Sequence, residues 1–154
     1  MTEIVRAGAA DRAAVLDLVE RLLVELEERP DEFAGIDRGR VEAALEAAGD
    51  RFAAFLARDG GRAIGVLTVT EHVAIYAGGR YGVIDELFVA PERRSTGVGE
   101  RLIAAARAHA RERGWRRIDV TAPPGPAWTR SVRFYERLGF VFTGPKLRLD
   151  LPGV

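Results

Sequence analysis

The sequence contains no cysteine. That excludes a disulfide framework, a thiolate metal site and a cysteine nucleophile. It has two histidines, His72 and His109, widely separated in sequence, so no metal is expected. No stretch approaches the roughly 18 apolar residues of a membrane-spanning helix. The opening "MTEIVRAGAADR" has no apolar run of export-signal length, and a cytoplasmic location is expected. Charge of one sign is not in excess: Lys plus Arg and Asp plus Glu are 23 each. This balance removes the global electrostatic argument for binding nucleic acid or a membrane surface.

What is present is an ordinary globular composition, 154 residues with 47% hydrophobic and 30% charged side chains. A single domain over 1–154 is the expectation. "EIVRA" (3–7) is a short strand candidate. From Asp11, apolar residues Val15, Leu18, Val19, Leu22, Leu23 and Leu26 recur at helical spacing until Pro30. Asp17 with Arg21, and Glu25 with Arg29, form i,i+4 pairs on the polar face. A polar loop (29–39) precedes a second helix carrying Val41, Ala44, Leu45 and Ala48, stopped by Gly49.

The pattern then becomes extended. Segments 51–58 and 62–76 flank "DGG", a strong hairpin signal, and 81–89 continues the antiparallel meander. A helix from about Gly97 to Arg113, closed by Gly114, leads to a strand at 116–122. Because a helical crossover joins them, this strand is predicted to lie parallel to 81–89. "PPGP" (123–126) reads as a rigid loop, Trp128–Leu138 as a helix stopped by Gly139, and 140–144 and 146–151 as closing strands. The fold class is mixed α/β, a largely antiparallel sheet with flanking helices.

Two stretches carry chemistry. In "PERRSTGVGERL" (91–102), Gly97 and Gly99 open a helix. The first N–H groups of a helix lack intrahelical acceptors and carry partial positive charge. Glycines bare them, and Arg93 and Arg94 add cationic side chains in front. The loop reads as a phosphate or pyrophosphate cradle. It is not a P-loop, because Gly-Lys-Ser/Thr is missing, nor a dinucleotide fingerprint, because Leu102 stands where a third glycine belongs. A flexible helix entry with solvated arginines is the plainer alternative. The second stretch, "SVRFYERLGF" (131–140), turns Phe134 and Leu138 to one face and offsets Tyr135. A lone helical tyrosine ordinarily packs and makes one hydrogen bond.

Together, "IDELFVAPERRSTGVGERLI" (84–103) and "RFYERLGF" (133–140) resemble the GNAT superfamily of acetyl-CoA-dependent N-acetyltransferases. Arg94, Gly97 and Gly99 match its pyrophosphate loop, and Phe134, Tyr135, Gly139 and Phe140 its second signature. The resemblance implies an antiparallel meander followed by a splayed parallel strand pair. It implies coenzyme A along Leu87, Phe88 and Val89 and over Arg93, Arg94, Ser95, Thr96, Gly97, Val98, Gly99 and Glu100, with Trp128, Ser131, Phe134 and Tyr135 nearby. Trp128 and Ser131 stand where the family often has Asn and Ala.

By the same resemblance, Tyr135 donates a proton to the departing thiolate, since a tyrosine of pKa about 10 is protonated at neutral pH. Asp85 or Glu86 takes one from the amine, with a preference for Asp85. Adjacent strand residues face opposite ways, so only one should face the cleft unless a bulge intervenes. Both are otherwise solvated strand charges, ordered water serving as base.

The implied acceptor is a small-molecule amine, cationic if Glu27, Glu28, Asp31, Glu32 and Asp37 shape its site. A protein amino group, or a coenzyme A-binding sensor without turnover, are the alternatives. A homodimer is compatible with the family. Nucleic-acid binding through Arg93, Arg94, Arg101, Arg107, Arg111, Arg113, Arg116 and Arg117 is disfavoured by the charge balance. His109 reads as a core histidine and His72 as an edge-strand surface residue.

Overall fold

The structure is a computed structural model describing residues 1–27, 31, 33–123 and 125–153. Residues Met1–Val120 form one compact unit and Thr121–Val154 a second.

The first unit is built on a five-stranded sheet in the order β1-β2-β3-β4-β5. Its strands are β1 (Thr2–Arg6), β2 (Phe52–Asp59), β3 (Arg62–Ala74), β4 (Gly79–Val89) and β5 (Ile118–Val120). The first three pairings are antiparallel and β4 with β5 is parallel. Among the described residues the unit also holds the α-helices α1 (Arg12–Leu26), α2 (Arg38–Ala48) and α3 (Val98–Arg113).

Alternation along the strands sorts side chains between two cores. Leu56 and Val66 sit in register with each other, and with Ala54 and Phe88 they pack against Val15, Leu18 and Val19 of α1. Phe55 and Leu67, also in register, point the other way. On that side α3 contributes buried Leu102, Ile103, Ala106 and His109. His109 lies edge-on to Phe55 and Trp115, at 5.8 and 5.2 Å between ring centres. It is the packed core histidine that the helical spacing suggests, and burial lowers its pKa.

Glu71 is the buried charge of this core, 5% exposed. It accepts from Arg113 Nε and Nη2 at 2.8 and 3.0 Å and from Trp115 Nε1 at 2.6 Å. A buried carboxylate persists where its oxygens are bonded and its charge is paired. The indole then lies on β4, where Gly82 leaves the room. A Cβ there would stand 2.3 Å from the Trp115 ring.

The second unit holds α4 (Thr129–Arg137), ended by Gly139 at φ 94°. Three sequence expectations fail. Residues 140–150 form no strand, although Leu147, Leu149 and Leu151 alternate with polar residues. A strand is defined by its ladder partner as well as its pattern, and these leucines stay 89, 84 and 69% exposed. His72 is not on an edge strand: β3 lies between β2 and β4, and half-buried His72 sits 5.6 Å from the Tyr81 ring beyond the end of the β2 pairing. The Asp17–Arg21 pair along α1 is replaced by a longer-range one. Asp17 bonds Arg38 at 2.6 Å and Glu25 bonds Arg94, while Arg29 lies outside the described residues.

Candidate functional site

The pairing of β3 with β4 slips by one residue in the middle. Val69 stands opposite Ile84 and Thr68 opposite Glu86, so Asp85 is the extra residue of a β-bulge. A bulge cancels the strict alternation that would send neighbours to opposite faces. Asp85 Oδ2 accepts from Thr70 Oγ1 at 2.6 Å, and the Glu86 carboxylate accepts from Thr68 Oγ1. Thr68 and Thr70 are two apart on β3 and share a face. Both carboxylates therefore lie on one side of the sheet, the side that Phe88 and α1 cover further along.

Their environments differ. Asp85 is exposed and Glu86 half-buried. Desolvation pushes the Glu86 pKa above the usual carboxylate range, the Asp85 charge adds to the rise, and the Thr68 bond opposes it. Of the two adjacent acids, Glu86 is the one that burial sets apart.

Beyond the bulge, β4 has an open edge. Its parallel pairing with β5 covers only Gly82–Ile84 against Ile118–Val120. Residues 85–89 have no β5 partner among the described residues. A protein backbone with unclaimed polar groups is what an amide-bearing chain can bind. The Val89 carbonyl at the end of this edge accepts from Arg94 Nε at 2.9 Å.

The loop after β4 is the one that the sequence reads as a cradle. Ser95 and Gly97 take left-handed φ values of 61 and 85°, and Thr96 Oγ1 pins the turn by donating to the Arg93 carbonyl at 2.6 Å. The first bond back along α3 runs from Arg101 N–H to Gly97 O. The N–H groups of Val98 and Gly99 precede it. A Cβ at Gly97 would meet nothing within 4 Å, so any side chain there would project into the open space in front of the loop.

The two arginines do not both face that space. Arg93 turns back to the sheet, paired with Asp59 and bonded to Thr2 Oγ1 at 3.0 Å. Arg94 donates from Nη2 to both Glu25 oxygens, at 2.6 and 2.8 Å. Arg101 and Arg113 are likewise bonded within the chain, to Thr2 O and Glu71.

A cavity of about 800 Å³ lies between α1, residues 33–35 and the end of β4. Phe88 and Val24 give it apolar surface; Asp17, Glu20 and Glu25 give it carboxylates. Arg38 bonds Asp17 and Glu20, and Arg21 lies 5.0 Å over the Phe88 ring. Of the acidic group expected around the first two helices, Asp37 instead caps α2 by accepting from Arg40 N–H. Glu27 and Asp31 are exposed, and Glu28 and Glu32 lie outside the described residues.

In the second unit, Tyr135 lies on α4 with its ring edge-on to Phe134 and Phe140, at 5.3 and 5.5 Å. Burial pushes its pKa up to about 12. Ser131 and Phe134 are half-buried on the same helix and Trp128 stands at its N-terminal cap. Pro124 of the preceding loop lies outside the described residues.

Residues 14–140 match the model of the acetyltransferase (GNAT) family. The chain belongs to that family. The fold of this acetyltransferase is shared with solved structures that are 18–21% identical in sequence. An aminoglycoside acetyltransferase from an uncultured soil metagenomic sample is 21% identical over 100% of this chain and 99% of its own, with a TM-score of 0.79. A ribosomal-protein-alanine N-acetyltransferase from Brucella melitensis biovar Abortus 2308 is 20% identical over 98% and 99%, with a TM-score of 0.75. A predicted acetyltransferase from Clostridium acetobutylicum, solved with acetyl-CoA, is 18% identical over 97% and 96%, with a TM-score of 0.78. No curated protein gives a significant match. Enzymes of this family use acetyl-CoA.

Sequence reasoning missed Thr68, Thr70, Glu25 and Arg38, which bond the candidate site residues or line the cavity beside them. The alternation of β3 carries the two threonines; nothing in the spacing of Glu25 points to Arg94. Among the described residues no helix is long and apolar enough to cross a membrane.

Proposed function

We propose that this acetyltransferase moves the acetyl group of acetyl-CoA to a small cationic primary amine by direct attack. The observation that carries the reading is the bulge in β4. It turns Asp85 and Glu86 to one face, while the same strand leads along an open edge into the Gly97 loop.

The residues fit the donor. Open backbone at 85–89 suits an amide-bearing arm, and the bared N–H groups around Gly97 suit a diphosphate. The thioester supplies an activated acetyl group. The protein's part is to position it and to handle two protons. Glu86, held above the usual carboxylate range, is the better base for the ammonium form of the acceptor, because a base with its pKa nearer working pH is more effective. Asp85, preferred by resemblance, is exposed and raises the Glu86 pKa by its charge. Tyr135 gives the second proton to the leaving thiolate; its pKa near 12 keeps it protonated across the working range.

The carboxylates of the cavity on the Phe88 side of the sheet, held by Arg38 and Arg94 until one of these is displaced, support a cationic acceptor over a neutral one. The same fold serves an aminoglycoside acetyltransferase and a ribosomal-protein-alanine N-acetyltransferase, so the choice of a small-molecule amine over a protein terminus rests on the cavity. Release of free thiol from acetyl-CoA is the test, across polyamines, aminoglycosides, amino acids and peptides with free N-termini. Turnover with cationic small amines is expected. Acetyl-CoA binding without turnover on any of them would overturn the enzyme reading in favour of a sensor.

A further inference from the structure

We propose that Glu25 is the carboxylate that recognises a second cationic centre on the acceptor, and that Arg94 keeps it neutralised until the acyl donor is bound. This rests on the acetyltransferase reading above and adds an acceptor class, amines with two or more cationic centres.

Arg94 occupies two places at once. Its Nε donates to the Val89 carbonyl at 2.9 Å, at the end of the open edge of β4. Its Nη2 donates to both oxygens of Glu25 at 2.6 and 2.8 Å, and the guanidinium lies 5.6 Å from the Phe88 ring centre. One side chain therefore fills the hydrogen-bonding place of a donor amide and masks a carboxylate of the cavity.

The donor makes two competing demands on it. An amide N–H laid along β4 needs the Val89 carbonyl. A diphosphate on the adjoining turn at Ser95–Gly97 offers a guanidinium a stronger partner than a half-exposed carboxylate. Both draw Arg94 away from Glu25.

Before that happens the cavity is balanced. Arg38 serves Asp17 and Glu20, Arg94 serves Glu25, and Arg21 lies over Phe88. Removing Arg94 uncovers the Glu25 charge in a cavity whose other carboxylates stay paired with Arg38, a setting that favours an ammonium ion. Phe88 of this cavity and Glu86 of the acid pair are two residues apart on one face of β4, about 7 Å along the strand. An amine reacting at Glu86 can therefore present a second cation to Glu25 only if its two centres are separated by several bonds. By linkage, the donor and such an amine strengthen each other's binding by the same factor.

The test is calorimetric titration of the full chain with coenzyme A, which cannot react, and with spermidine or n-butylamine. Spermidine should bind wild type at least about fivefold tighter when coenzyme A is saturating, and n-butylamine should show no such gain. Glu25→Gln should weaken spermidine under both conditions and bind coenzyme A more tightly than wild type, because Arg94 is freed. Arg94→Ala should bind spermidine equally with and without coenzyme A. Arg94→Lys, which lacks the fork needed to hold both partners, should lose the coupling too.

Spermidine affinity indifferent to coenzyme A in wild type would overturn the inference while leaving the enzyme reading intact. So would coupling that survives in Glu25→Gln. Failure of wild type to bind coenzyme A at all would bring down both. The gain in coenzyme A affinity expected of Glu25→Gln cannot come from a misfolded protein.

Discussion

Thr68 and Glu86 bond each other twice. The Glu86 N–H donates to Thr68 Oγ1 at 3.1 Å, and the same hydroxyl donates to the Glu86 carboxylate. One side chain thus pins the bulged backbone and the acid that the bulge displays. The hydroxyl bond also works against the desolvation that raises the Glu86 pKa.

Replacing Thr68 by Val removes that opposition while keeping the β-branched shape. The Glu86 pKa should rise further, and the acidic limb of the pH profile of kcat/KM should move to higher pH. A limb that stays in place would mean that another group sets it. The stability consequence has a definite sign. A carboxyl whose folded pKa lies above its unfolded value stabilises the fold fully below the unfolded pKa, and that contribution is lost as pH rises through the folded one. Glu86→Gln should therefore melt higher than wild type at neutral pH, and the gap should close in acid as the wild-type carboxyl takes up its proton.

Tyr135→Phe should lower kcat by about 10²-fold or more, the usual yield of a positioned proton donor, and leave coenzyme A affinity within about twofold. With the phenol held near pKa 12, the alkaline limb of the wild-type profile should not be its titration. That limb should persist in the Phe variant.

Gly97 calls for a paired substitution. Its φ of 85° makes Ala costly by roughly 1–2 kcal/mol, so loss of donor binding in Gly97→Ala could come from strain. Asn tolerates the left-handed region. Gly97→Asn should keep its melting temperature within a few degrees, as a few tenths of a kcal/mol implies, and still bind acetyl-CoA at least about tenfold more weakly. Unchanged affinity would remove the cradle from the site.

Gly82→Ala should destabilise the protein by about 1–3 kcal/mol, the cost of overpacking a filled core, because its Cβ would lie 2.3 Å from the Trp115 ring. The Gly82 N–H also donates to the Arg117 carbonyl where β4 meets β5. Chemical denaturation should register the loss. Trp115→Phe should recover part of it in the double variant, since a smaller ring without the indole bond to Glu71 returns space.

The order of strands and helices was legible because each element carries its own period. α1 is readable from Val15, Leu18, Val19 and Leu22, and the stops at Gly114 and Gly139 are where the helices end. The bulge was foreseen only as a condition, since no glycine or proline marks Asp85. The closing strands were over-read: Leu147, Leu149 and Leu151 alternate correctly, but alternation does not supply a ladder partner. Arg94 was assigned to phosphate from its place beside the glycines. Its partner Glu25 lies 69 residues earlier, and ion pairs of that reach leave no trace in local spacing.

Two ion pairs described above differ in how far they respond to electrolyte. In the Glu71–Arg113 clasp the carboxylate is 6% and the arginine 23% exposed, whereas Glu25 and Arg94 are 31 and 39% exposed. Mobile ions screen charges that water reaches, over a Debye length of about 3 Å at 1 M, and barely touch those that it does not. Concentrated sodium chloride should therefore loosen the Arg94 contact and leave the clasp between β3 and α3 standing, so a simple salt series can separate what holds the fold from what tunes the site.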